Sequence, residues 1–256
     1  MLEEIDLRVQ KLMRMVNQQT LRHLDGSSYR VATKSSYNDL VTTIDRQNEQ
    51  AIDRQLREID PGCRILSEEG FGDQQINDLA GHVWIVDPLD GTLNFVKQHN
   101  HFGIMLALYV DGYPTLAYIM DAVNQDLYHG GNGWGVFKND QRLAGPINAN
   151  LHDSLIAISS SLVLDDVANL AQVARQASGL RMYGSAAMEM IGVLNGELGA
   201  YVSHLKPWDI AAGRVLAEEL GLTVKSIDDN GISVLSSNLV LVATKRAGQD
   251  ILDRTD

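Results

Sequence analysis

His82-Val-Trp-Ile-Val-Asp87-Pro88-Leu89-Asp90-Gly91-Thr92 carries an apolar run into two carboxylates three residues apart, then a glycine and a hydroxyl. The run from His82 to Asp87 is rich in β-branched and aromatic residues and reads as a buried strand closed by a turn signal. Pro88 pre-sets φ for that turn, and Gly91 lets the backbone approach a ligand closely. Two acids at a strand end, beside free backbone N–H groups, suit a hard cation that bridges to a phosphate.

Other acids must converge on this turn. Glu68 and Glu69 end the apolar run Arg64-Ile-Leu-Ser67, and Asp209 lies far downstream in Lys206-Pro-Trp-Asp-Ile-Ala-Ala-Gly213, where Pro207 marks a helix start. Asp39 and Asp45 fall in Lys34-Ser-Ser-Tyr-Asn-Asp-Leu-Val-Thr-Thr-Ile-Asp45. Singly, each acid also suits a cap or a solvated turn.

Taken in order, Glu-Glu, then Asp-Pro-Leu-Asp-Gly-Thr-x-Asn-Phe, then Trp-Asp-Ile-Ala-Ala-Gly, the set resembles the inositol monophosphatase family of magnesium-dependent, lithium-sensitive phosphomonoesterases. The resemblance runs from the Lys34–Asp45 segment to Asp209. It implies an α+β fold, a layered α-β-α-β-α sandwich of the inositol monophosphatase and sugar phosphatase type. It implies Mg2+, two or three ions, with Glu68, Asp87 and the Leu89 carbonyl at one and Asp87, Asp90 and Asp209 at another. A metal-bound water is then the nucleophile, oriented by Thr92, with Asp45 and Glu69 as acceptors or general base. Substrate contacts fall to Asp90, Gly91, Thr92, Ser185 and Asp209, and Lys34 is placed as a lid.

The leaving-group side departs from the family. Members acting on inositol phosphates carry an acid about seven places before the Asp of Trp-Asp, but this chain has Val202, followed by Ser203 and His204. Unpaired hydroxyls are costly, so the expected substrate range widens to sugar and nucleotide phosphates, with Lys206 available to a second phosphate. The alternatives are a fructose-1,6-bisphosphatase, an NADP(H) phosphatase, an adenosine 3′,5′-bisphosphate phosphatase, or a non-catalytic regulatory protein on the same scaffold.

Composition bounds the rest. The 256 residues carry a formal net charge of −12, which argues against a broad nucleic-acid surface. Bound divalent cations would invert that sign locally and admit an anionic phosphate ester. The single Cys63 excludes an internal disulfide or a multi-cysteine zinc site. No apolar stretch approaches a membrane span, and Met1-Leu-Glu-Glu-Ile-Asp lacks a signal-peptide layout, so a cytoplasmic protein is expected. By resemblance it is expected to be a homodimer.

The pattern predicts helices over 2–24, 45–59, 165–177, 185–194 and 208–220, and a loop over 26–37. It predicts strands over 104–110, 115–121, 126–129, 154–160, 181–183, 201–203, 222–227 and 240–243, the last followed by a terminal helix. No linker separates the strand-rich first half, to about residue 145, from the alternating second half, so one domain over 1–256 is expected. Asp87-x-x-Asp90-Gly-Thr is one residue too long for the Asp-x-Asp-x-Thr of haloacid-dehalogenase phosphatases. Gly131-x-Gly133-x-Gly135 reads as a turn, His99 and His101 as solvated, and Met182, Tyr183, Met188 and Met190 as packing residues.

Overall fold

The structure, a computed structural model, describes residues 2–24, 29–34, 40–73, 75–228 and 230–255. Helix α1 (Leu2–Leu21) buries Ile5, Val9, Leu12, Met13 and Val16, the stripe that helical periodicity marks. Strands β1 (Val31–Thr33) and β2 (Leu40–Thr42) pair antiparallel, so the expected loop over 26–37 contains a strand. Residues 26–28 and 35–37 of that loop, and Asp39, lie outside the described residues. Helix α2 (Thr43–Ile59) starts from a capping box, in which Thr42 Oγ1 accepts from the Asp45 backbone N–H and Asp45 accepts from that of Thr42.

Next come β3 (Arg64–Ser67), β4 (His82–Asp90), β5 (Gly103–Val110), β6 (Tyr113–Asp121), β7 (Asp126–Gly131), β8 (Gly135–Lys138) and β9 (Gln141–Arg142). They form a seven-stranded sheet in sequence order, antiparallel except for β3 beside β4. Helix α3 (Thr92–Gln98) leaves the end of β4. The residues from Gly131 to Gly135 turn β7 into β8, as expected.

The second half holds β10 (Leu155–Ile158), α4 (Ser160–Leu164), α5 (Leu170–Gln176), β11 (Gly179–Arg181) and α6 (Ala186–Leu194). It continues with β12 (Ala200–Leu205), α7 (Pro207–Glu219), β13 (Thr223–Ser226), β14 (Asn238–Ala243) and α8 (Lys245–Leu252). Its mixed five-stranded sheet runs β11-β10-β12-β14-β13. The helix expected over 165–177 is broken. Asp166, Ala168 and Asn169 all take positive φ, and a short 3-10 turn separates α4 from α5.

Three apolar cores stack these layers. Residues of α1 and α2 cover one face of the first sheet, including Trp84, Leu106 and Tyr118. Residues of α6 and α7 fill the space between the two sheets, against Ile85, Met105, Tyr201 and Val242. Leu162, Leu170, Val173 and Ile251 cover the far face of the second sheet. The order is α-β-α-β-α, the expected sandwich. No helix among the described residues is long and apolar enough to cross a membrane.

Candidate active site

Between Asp87 and Asp90 the ladder slips: Asp87 pairs with Met105 and Asp90 with Gly103, so three steps on β4 face two on β5. Pro88, which cannot donate to a ladder, sits in this bulge. Bulges re-aim side chains, and here Asp87 and Asp90 come to bear with Asp209 on one point. One carboxylate oxygen from each lies within 4.8 Å of the others. Asn48, on the buried face of α2, fixes the turn by donating to the Pro88 carbonyl at 3.1 Å. Gly91 follows at φ +83°, a left-handed backbone that a side chain would strain.

Each acid is held differently. Among the described residues Asp87 accepts only from the Leu89 N–H, at 3.0 Å. Asp90 receives the N-terminus of α6: Ala186 N at 3.1 Å, Ala187 N at 2.9 Å and the Ser185 hydroxyl. Asp209 sits in the first turn of α7 and accepts from Lys206 N at 2.8 Å. Gly213 of the same helix lets α7 lie against α6, because a Cβ there would fall 2.6 Å from Met190 Sδ. Ser185 caps α6 by accepting from Met188 N, as the sequence predicts.

Burial raises the pKa of all three carboxyls. Asp87 is pushed up further by Glu68, Asp90 and Asp209, and Asp209, with Asp90 beside it, rises to about 7. Hydrogen bonds from α6 partly offset the effect on Asp90. Buried carboxylates converging with no ion pair to a lysine or arginine among the described residues form a donor set for a hard divalent cation, and the residues present fit one.

Glu68 and Glu69 lie beside this triad, paired instead with Lys34, whose Nζ stands 2.9 Å from Glu68 Oε1 and also contacts the Glu69 carboxylate. Lys34, expected as a lid, here supplies a positive charge to the two glutamates, and its own pKa is raised despite burial. Burial raises the pKa of both glutamates while Lys34 opposes it. Thr92, first residue of α3, donates to Asp45 Oδ1 at 2.7 Å and lies 3.1 Å from the Leu89 carbonyl. Asp45 is buried, which raises its pKa, while Thr42 and Thr92 lower it. Glu69 does not join that pair by hydrogen bond among the described residues.

Glu68, Asp87, Leu89, Asp90, Gly91, Thr92 and Asp209 line one hollow of about 230 Å³. A cleft of about 470 Å³ shares Asp90, Gly184 and Asp209 with it, and adds Ser159, Met182, Tyr183, Ser185, Glu189, Tyr201, Ser203 and His204. Met182 and Tyr183, read as packing residues, instead stand exposed on this cleft, because β11 ends at Arg181 and they leave the sheet. Val202 is fully buried in the core behind the second sheet and contributes nothing to the cleft. Lys206 is absent from the cleft wall, and its Nζ rests 5.5 Å above the Trp208 ring.

Three further residues organise the site. Asn94 donates to the carbonyls of His101 and Tyr183, at 2.8 and 2.7 Å, and so ties α3 to the turn that enters α6. Glu49 is fully buried on α2 and accepts from Ser67 Oγ, Glu69 N and Phe71 N at 2.7, 2.7 and 2.6 Å. That clamp shapes the Glu68-Glu69 turn. Glu189 lies on the cleft wall. The sequence signal for Glu49 and Glu189 was polarity at core positions. Asp45, Asn48, Glu49, Ile52, Asp53 and Leu56 share one helical face, and Glu189 is the one charge in α6.

Replacing Glu49 by alanine removes the acceptor of three donors, of which the Ser67 hydroxyl is buried and the Glu69 and Phe71 N–H groups are part-buried. The expected result is a loss of about 3 kcal/mol or more in denaturant unfolding.

Buried acids around a small polar hollow, opening on a larger cleft, are the layout of a phosphomonoesterase site. The chain belongs to the inositol monophosphatase family, whose sequence model matches residues 2–255. It is 38% identical over 231 residues to the inositol-1-monophosphatase of Bacillus subtilis (strain 168), covering 88% of this chain and 87% of that protein. It is 31% identical over 229 residues to a protein named Nus factor SuhB from Pasteurella multocida (strain Pm70), covering 87% and 84%. A solved structure of an IMPase/NADP phosphatase complexed with Mg2+ and phosphate superposes with a TM-score of 0.90 at 29% identity, over 98% of this chain and 95% of that one.

Proposed function

We propose that this phosphomonoesterase is Mg2+-dependent and releases phosphate from inositol monophosphate or a related sugar monophosphate. The observation that carries this is the convergence of Asp87, Asp90 and Asp209 at the bulged end of β4, beside the Asp45–Thr92 hydrogen bond. Glu68, Asp87, the Leu89 carbonyl, Asp90 and Asp209 would hold Mg2+. Bound there, Mg2+ supplies charge neutralisation for the phosphate and acidifies water. The family's lithium sensitivity is proposed to carry over with that site.

The chain's own residues have separate tasks. Asp45 holds the Thr92 hydroxyl in one orientation and offers an acceptor for a proton at the attacking water. The backbone at Gly91 and Thr92 opens toward the hollow and offers N–H donors to phosphate oxygens. Asp209 lines both the small hollow and the cleft, Ser185 lines the cleft, and the two position the leaving-group oxygen.

The test is phosphate release with and without Mg2+, and with added Li+. The panel is inositol 1-phosphate, fructose 1,6-bisphosphate, NADP and adenosine 3′,5′-bisphosphate. Mg2+-dependent release, fastest on inositol 1-phosphate and slowed by Li+, is the expected result. No release from any ester, despite a Mg2+-induced thermal shift, would instead favour a binding platform without catalysis.

Thr92→Val keeps the shape of Thr92 and removes its hydroxyl. Turnover is expected to fall about 100-fold while the Mg2+-induced shift in melting temperature persists. Steady-state kinetics beside thermal unfolding checks both, and loss of the shift would mean that Thr92 acts through the metal ligands.

A further inference from the structure

We propose that Glu189 sets leaving-group specificity, accepting hydroxyl hydrogen bonds from a neutral polyol and disfavouring a second phosphate. The inference rests on the phosphatase function proposed above. Glu189 is 4% exposed and lines the larger cleft next to Asp90, Ser185 and Asp209. Its Oε1 accepts from Tyr183 N at 2.7 Å, whereas its Oε2 lies buried beside the Gly184 backbone with no hydrogen-bond partner among the described residues. A buried carboxylate oxygen left unpaired is costly, so a ligand hydroxyl that satisfies it gains affinity.

The walls of the cleft sharpen the assignment. The residues lining it include Asp90, Glu189 and Asp209 but no lysine or arginine. A second phosphate there faces acids with no lysine or arginine on the cleft wall itself. A polyol faces acceptors at Glu189 and donor-acceptors at Ser159, Ser203 and Tyr183. The strand position expected to carry the hydroxyl-binding acid holds Val202, which points into the opposite core. Glu189 reaches the same cleft from α6 and supplies the carboxylate that β12 lacks.

Glu189→Gln keeps the size of the side chain and an acceptor for Tyr183 N, and removes the charge. The readout is the ratio of kcat/KM for inositol 1-phosphate to kcat/KM for 4-nitrophenyl phosphate, whose leaving group has no aliphatic hydroxyls. That ratio is expected to fall about tenfold or more, mainly through KM, the size of effect seen when a site loses a well-matched polar group. The ratio of inositol 1-phosphate to fructose 1,6-bisphosphate turnover is expected to fall as well. If Glu189 only braces the Tyr183-Gly184 turn, both esters slow together and the ratios hold, which overturns the assignment. Wild-type enzyme that releases phosphate from neither ester overturns the proposed function, and the assignment with it.

Discussion

Asp87→Asn is expected to lower Mg2+-dependent phosphate release by about 1000-fold or more, the scale at which loss of metal-borne charge stabilisation acts. Asp87 is the most isolated of the converging acids. Its one hydrogen bond among the described residues comes from Leu89 N, whereas Asp90 receives three donors from the start of α6 and Asp209 accepts from Lys206 N at the start of α7. An acid with so few protein partners has its remaining lone pairs free for a cation. It also carries a penalty without one, since burial and then Glu68, Asp90 and Asp209 all oppose its charge. The same substitution should therefore raise the melting temperature of the protein in EDTA. For a chain of this size about 1 kcal/mol corresponds to some 2–4 °C. Activity lost together with stability in EDTA would show that Asp87 is a structural acid, and would count against the cation site. Activity lost while metal-free stability rises is the signature of a ligand.

The acids at this centre were legible because each ends a recognisable element. Asp87 and Asp90 close an apolar strand, and Asp209 follows the Pro207 that starts α7. Ser185 was legible as a cap for the same reason. Contacts between distant segments were less so. Nothing near Lys34 in the chain announces that it will meet Glu68 and Glu69, since Glu68 lies 34 positions away in sequence. The bulge at Pro88 was visible only as a turn, because the sequence shows the proline but not the partner strand that continues past it. The break between α4 and α5 left no trace either. Asp166, Ala168 and Asn169 adopt positive φ without a glycine to mark it, while Leu170 and Val173 keep the helical period. Glu189 was hidden by its neighbours, since Met188 and Met190 on either side read as core and the helix does bury them.

In EDTA, stability is expected to fall as pH rises from about 4 to about 7, and Mg2+ is expected to remove much of that slope. Asp209 has its pKa raised to about 7 in the folded chain, by burial and then by Asp90, against 3.8 as its ordinary value. Asp87 and Asp90 move in the same direction. Between those two pH values the folded protein keeps protons that the unfolded chain has released. Stability is then fully present below the unfolded pKa and is lost as pH rises through the folded one. The loss is on the order of a few kcal/mol, shared among carboxyls that titrate together. Mg2+ binds the deprotonated centre, so the stabilisation it adds should be small at pH 5 and largest above pH 7. Asp53 and Glu189, both buried and raised to about 7, titrate in the same window. Asp53 is shifted by burial, Glu49, Arg57 and Asp73 and contributes to both curves alike, whereas Glu189 is raised in part by Asp90, so the difference between the two curves reports the centre together with Glu189. Urea unfolding at half-unit steps from pH 4.5 to 8, with EDTA or saturating Mg2+, measures that difference directly. A Mg2+ increment that stays constant across the range would mean that the cation binds without displacing protons. The acids at the end of β4 would then already be ionised in the free protein, held apart by more than the structure shows.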